Sequence, residues 1–191
     1  MMNIKAIFKR MTLGFVLAGV PLVGGCGSNT NSWQEEVKLL DGRVITITQK
    51  RRYENVYDGQ SSGNLPREFW VTFKLPEFGE QEIVWHENLL PMILNVYQGK
   101  LYVIGVPWTE LEFRQYGKPK PFYIGYRYES AQFVRIPFQE IPEPIYDTNL
   151  WIGIESPNGA KYISSALKKI KFDDERIVHE LKRVDPNTAI H

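Results

Sequence analysis

The chain predicts a mainly β fold: an antiparallel sheet, sandwich or open barrel of hairpins, closed by a short C-terminal helix. Three observations carry this. Short runs rich in valine, isoleucine, threonine and aromatic residues recur between positions 33 and 155, the composition that suits a pleated, half-buried surface. Turn signals such as Asp41-Gly42 and Gln98-Gly99 separate these runs at regular spacing, as in hairpin-built sheets. Beyond Ser156-Pro157-Asn158-Gly159, the apolar residues Ile163, Ala166, Leu167 and Ile170 fall at helical spacing.

Taken in order, runs 33–40 and 43–52 flank Asp41-Gly42 and predict a hairpin. Residues 53–65 are polar and carry Gly59, Ser61, Ser62, Gly63 and Asn64, so they predict a loop of about a dozen residues. Run 69–75 predicts a strand stopped by Pro76, and 82–85 a short one. Runs 93–97 and 100–106 predict a second hairpin, and 121–127 with 132–137 a third. Run 150–155 predicts a further strand. The helical spacing after Gly159 turns Lys168, Lys169 and Lys171 toward water. A second turn or helix would carry Ile177, Leu181 and Val184, with Asp173 as its cap. No fixed-period repeat supports a propeller.

The first 25 residues are organised differently. Lys5, Lys9 and Arg10 precede an apolar stretch over 11–23, which ends in Leu22-Val23-Gly24-Gly25 and then Cys26, the only cysteine of the 191 residues. A basic start, a short apolar core and small residues are the three parts of an export signal. The apolar stretch is shorter than the roughly 20 residues a spanning helix needs, and Pro21 interrupts it. An aliphatic residue, two small residues and a cysteine resemble the lipobox of bacterial lipoproteins. The resemblance covers about the first 26 residues and implies cleavage before Cys26, a thioether to diacylglycerol at its sulfur, and acylation of the new amine. Two or more acyl chains give stable attachment. In Gram-negative lipoproteins an aspartate after the cysteine favours inner-membrane retention. Gly27 at that position points to the outer membrane, facing the periplasm.

These features divide the chain into a signal peptide over 1–25, a lipidated tether over 26–32, one β-rich domain over 33–184 and a loose tail over 185–191. Cleavage leaves 166 residues and moves the net charge from +1 to −2, a balance that argues against nucleic acid as a main partner. With no second cysteine, the domain has no internal disulfide and no cysteine-based zinc site. No cofactor or metal is expected. His86, His179 and His191 show no metal-ligand spacing, and no nucleophile-elbow sequence is present.

The remaining candidates each have a plain alternative. His86 beside Glu87 could act as a general base oriented by a carboxylate, or be a surface histidine at a strand end. The acidic pairs Glu35-Glu36, Glu110 with Glu112, Glu140 with Glu143, and Asp173-Asp174 could serve glycan hydrolysis, or be solvated charge. Ser165 and Lys168 share a Ser-x-x-Lys spacing without its companion motifs. The basic runs at 50–52 and 118–121 could touch lipid headgroups or wall carboxylates, or simply guard sheet edges. Five tryptophans and the cluster Phe122, Tyr123, Tyr126 and Tyr128 suggest an aromatic surface. Alternation puts Tyr126 and Tyr128 on one face, a candidate aromatic binding face for sugar rings or a partner protein; the alternative is a small aromatic core. The domain is similar in style to uncharacterised small lipoproteins of proteobacteria, and one version of this reading is an accessory or immunity component linked to a secretion system. The leading expectation is therefore a membrane-anchored, non-enzymatic binding or accessory protein of the envelope, meeting another envelope protein or cell-wall glycan. The alternative is a periplasmic hydrolase of wall or surface glycans.

Overall fold

The computed structural model describes residues 29–57, 62–153, 155–172 and 179–188. Residues 1–25, expected to be a signal peptide, and Cys26, Asp173, Asp174, Ile177 and His191 lie outside them. The first four strands, β1 (Thr30–Lys38), β2 (Val44–Tyr57), β3 (Ser62–Phe73) and β4 (Ile83–Glu87), form an antiparallel meander. Only Asn88 separates β4 from β5 (Leu89–Tyr97), where the chain passes into a second sheet. There β5, β6 (Lys100–Pro107), β7 (Ile124–Glu129) and β8 (Gln132–Ile136) form a second meander. The chain then returns to lay β9 (Tyr162–Ile163) parallel to β1. The sheet orders are β4-β3-β2-β1-β9 and β5-β6-β7-β8. The expected mainly β architecture is thus an open sandwich, with no closed barrel.

Turn chemistry sets the hairpins. Gly42 takes a φ of 90° in a three-residue loop closed by the Leu39–Arg43 backbone bond, one residue longer than the two-residue turn its sequence suggests. Gln98 and Gly99 both have positive φ, as do Ser130 and Ala131. Two such residues make the turn whose twist matches paired strands. The helix α1 (Glu110–Gln115), which strand patterning misses, starts on a capping box between Thr109 and Glu112.

The core explains which strands carry alternation. In β2 the inward positions are Ile47, Gln49, Arg51 and Tyr53. In contrast, β5 is buried at seven consecutive positions. Such a strand has no solvent face. Ile141, Ile145, Tyr146 and Leu150 join its core from the return segment, and Val184 from the C-terminal end of the described residues. Ile141 lies so close to Gly125 that an added Cβ would stand 2.7 Å from it. Trp85, fully buried, meets Tyr126 edge-on at 5.9 Å and ties β4 to β7.

Four expectations change here. Residues 53–65 are not a loop of a dozen residues: β2 continues to Tyr57 and β3 begins at Ser62, because the two segments satisfy each other's backbone groups in a polar ribbon. Residues 150–153 form no strand. Instead Leu150 N–H donates to Met92 O, and the Asn149 side chain bonds both N–H and C=O of Leu94, covering the free edge of β5. The helix α2 (Ser165–Phe172) is turned differently from the expectation. Lys168 is buried and Ile170 is 68% exposed. The first strand also begins before the domain boundary expected at 33, since Thr30, Asn31 and Ser32 belong to β1. A further short helix, α3 (His179–Lys182), precedes Val184, which is buried. Among the described residues no helix is long and apolar enough to cross a membrane.

Candidate functional site

Two polar constellations stand out, on opposite faces of the first sheet. The outer one follows from strand alternation. Gln49, Arg51, Phe69, Val71 and Trp85 point inward, so Lys50, Trp70 and His86 point outward, and register places Trp70 opposite both others. His86 stacks on the Trp70 ring at 4.3 Å with an interplanar angle of 12°. The Lys50 ammonium lies 4.8 Å from the same ring, within range of a cation–π contact. The next outward row pairs Arg52 with Glu68. Arg52 Nη2 donates to Glu68 Oε1 at 2.7 Å, and His86 Nε2 lies 3.3 Å from Glu68 Oε2. These bonds, that from Arg52 above all, hold the Glu68 carboxyl below the usual carboxylate range.

The expected partnership of His86 with Glu87 does not form. Neighbouring strand residues point to opposite faces, and Glu87 instead accepts the Tyr116 hydroxyl at 2.8 Å. Glu68, from the adjacent strand, takes the place beside His86. The candidate aromatic face separates in the same way. Tyr126 is 5% exposed and packs on Trp85, so it offers no stacking surface, while half-buried Tyr128 packs against Phe78 and Phe133. The outward-facing row of Lys50, half-buried Trp70 and His86 lies on the other sheet.

The acidic pairs are likewise split. Glu36 faces outward, where it accepts the Ser165 N–H and the Tyr162 hydroxyl. Glu112 caps α1 and pairs with Arg67 at 3.0 Å, while Glu110 pairs with Arg114. Glu140 is held by Arg127.

The inner constellation is built from Glu35, Gln49, Arg51 and Lys168, each 5% exposed or less. Glu35 accepts from Gln49 Nε2 at 2.7 Å and from the Trp151 N–H at 3.0 Å, and Lys168 Nζ stands 3.3 Å away. Lys168 also donates to Asn149 O at 2.6 Å. Arg51 lies between the rings of Trp33 and Phe69, 4.8 and 5.2 Å from their centroids. It donates to the carbonyls of Gly153 and Trp151 and to Gln49 Oε1. Burial dominates the ionisation of all three charged groups. It raises the Glu35 carboxyl, lowers the Lys168 ammonium and brings the Arg51 guanidinium down to about 10. The bonds named in this cluster link β1, β2, the 149–153 segment and α2. It staples the return segment onto the first sheet. Being closed to solvent, it offers no place for a ligand.

Several open clefts mark the surface. One of about 430 Å³, lined by Lys120, Pro121, Arg135, Pro137 and Phe138, lies on the second sheet, away from His86 and Glu68. Another, of about 450 Å³, lies over the outer face of the first sheet and includes Gln34, Thr46, Thr48 and Thr72. Among the described residues no group of three histidine, cysteine, aspartate or glutamate side chains could hold a metal ion. No family model, no curated protein and no solved structure matches this chain.

Proposed function

We propose that this chain is a lipid-anchored protein of the bacterial envelope, held at the outer membrane on the periplasmic side, that works by binding rather than by chemistry. The reading of location rests on the lipobox-like approach to Cys26. The reading of activity rests on one observation: the outward row Lys50–Trp70–His86, flanked by Arg52 and Glu68. Trp70 is already stacked, so the row presents cationic and imidazole edges rather than a bare ring. Such a surface suits carboxylate-bearing partners. Cell-wall glycan with its carboxylated peptides is the partner proposed.

Co-sedimentation with purified cell-wall sacculi tests this. Trp70→Ala and Lys50→Glu should each reduce the bound fraction several-fold without changing the unfolding midpoint by more than a surface substitution does. Equal binding by both variants and the parent would discard the row as the binding face. Recovery of one envelope protein by crosslinking, with no sacculus binding, would move the partner from glycan to protein.

The hydrolase reading keeps one specific support, the 3.3 Å approach of His86 to Glu68. Glu68 is already engaged by Arg52, which disfavours a proton-transfer role for that carboxyl. Muropeptide release that disappears in His86→Ala would restore this reading.

A further inference from the structure

The β2–β3 hairpin extends past the sheet that carries it. Pairing of β1 with β2 ends at Thr30 opposite Arg52, and β4 begins its pairing with β3 at Glu87 opposite Phe69. Beyond those points, and among the described residues, those from Glu54 to Tyr57 pair only with those from Ser62 to Leu65. Among the described residues this part of the hairpin has no third strand, and an isolated two-stranded ribbon is marginal in water. This ribbon nevertheless carries Val56 and Leu65 half-buried, and at its far end Tyr57, 76% exposed.

The ribbon projects toward the chain's entry into the domain. Because β1 and β2 are antiparallel, moving from Thr30 toward the N-terminus means moving along β2 toward Tyr57. Asn29 continues the pairing, its carbonyl accepting the Tyr53 N–H at 2.7 Å. Cys26 is three residues before Asn29, a span of at most about 11 Å. Tyr57 is four strand steps beyond Tyr53, about 13 Å. Even a fully extended tether therefore cannot carry Cys26 past the end of the ribbon.

We infer that the outer half of this hairpin, with Tyr57 at its exposed end, seats in the headgroup region of the bilayer and forms a second membrane contact beside the lipid. The inference rests on the reading of Cys26 as acylated. With acyl chains starting short of Tyr57, a domain standing on its tether puts the ribbon into the interface, where tyrosine is a favoured residue. Among the described ribbon residues acidic charge is compensated. Glu54, the one acidic side chain among the ribbon residues described, is paired with Arg52 at 3.0 Å and Arg67 at 3.2 Å.

The test uses the full lipidated protein in phosphatidylethanolamine–phosphatidylglycerol vesicles. Acylation consumes the native sulfur, so a nitroxide can be placed singly on Tyr57→Cys, on Gly63→Cys or on Asp41→Cys. Gly63 is exposed with open space around it, and Asp41 lies in the turn at the opposite end of β1 and β2. Collision with oxygen and with a water-soluble nickel complex reads depth, and flotation reads attachment. At position 57 or 63, nickel access should fall several-fold and oxygen access rise relative to position 41. Labels at both positions that stay as nickel-accessible as that at 41, on protein that floats with the vesicles, overturn the hairpin contact and leave the anchor standing. Protein that fails to float overturns the anchor and the contact together.

Discussion

Lys168 shows how one side chain decides the fit of an element. Taking two charges out of water costs several kcal/mol each, and removing one partner of a buried pair costs about 3–5 kcal/mol because the other is left uncompensated. Lys168→Met should therefore destabilise the domain by that order, read from urea unfolding at neutral pH. Glu35→Gln combined with Lys168→Met should recover more than half of the loss. The glutamine still accepts the Trp151 N–H, and no charge remains stranded. A double variant as unstable as Lys168→Met would show that packing, not charge, dominates there. Ala131 offers a change of the opposite sign. It holds a φ of 64° in the β7–β8 turn, where a residue with a Cβ is strained by about 1–2 kcal/mol. Glycine relieves the strain but loses more entropy on folding. Ala131→Gly should thus stabilise by about 0.5–1 kcal/mol, visible as a later denaturant midpoint with unchanged slope.

At the scale of elements, carboxylates of opposite character set the response to pH. Glu36 ties β9 and the start of α2 to β1, and the Ser165 and Tyr162 bonds hold its carboxyl below the ordinary 4.5. Glu68 is held low in the same sense by Arg52. A group with a depressed folded pKa contributes stability that is complete above its unfolded value and is lost as pH falls through the folded one. Glu36→Gln should therefore speed amide exchange in α2 at neutral pH, and the difference from the parent should shrink below pH 4.5. Glu68→Gln should similarly lower stability at neutral pH and converge on the parent in acid, measured by denaturant titration at several pH values. Glu35 acts in the reverse sense. Burial raises its carboxyl, so its own contribution is fullest below 4.5 and declines as pH rises through the raised value. A Glu36→Gln difference that persists unchanged in strong acid would mean the bonds to α2 do not depend on its charge.

For the whole molecule, the proposed anchor and the folded domain are expected to be separable. Among the described residues the backbone network begins at Asn29, whose carbonyl accepts the Tyr53 N–H, and continues along β1. Cys26→Ser, fractionated from cells, should leave the cooperative unfolding transition intact while the protein moves from the membrane pellet to the soluble fraction. Retention in the pellet would point to the sheet surface or the hairpin as sufficient for attachment.

Much of this architecture was legible along the chain. Gly99 and its flanking strands, the β7–β8 hairpin and the helical spacing after Gly159 are local signals, because turn dihedrals and side-chain periodicity involve residues close in sequence. Even α1 had such a signal in Thr109 and Glu112. What lay beyond local reading was contact between distant segments. Arg51 in the basic run 50–52 looks solvated, yet it is fully buried because Trp151 and Gly153, about a hundred residues away, present their carbonyls to it. His86 could be singled out by type, but its partner Glu68 and its stack on Trp70 follow from the register of β3 with β4, which no short window contains. The sequence by itself determined the β character, the hairpin turns and the lipobox-like approach to Cys26, since each depends on neighbours along the backbone. Only the tertiary structure decided that Lys168 turns inward, that Tyr126 belongs to the core, and that the polar stretch after Arg52 becomes a projecting ribbon. Burial and pairing are properties of surfaces brought together from far apart, and free energy of desolvation acts only once they meet.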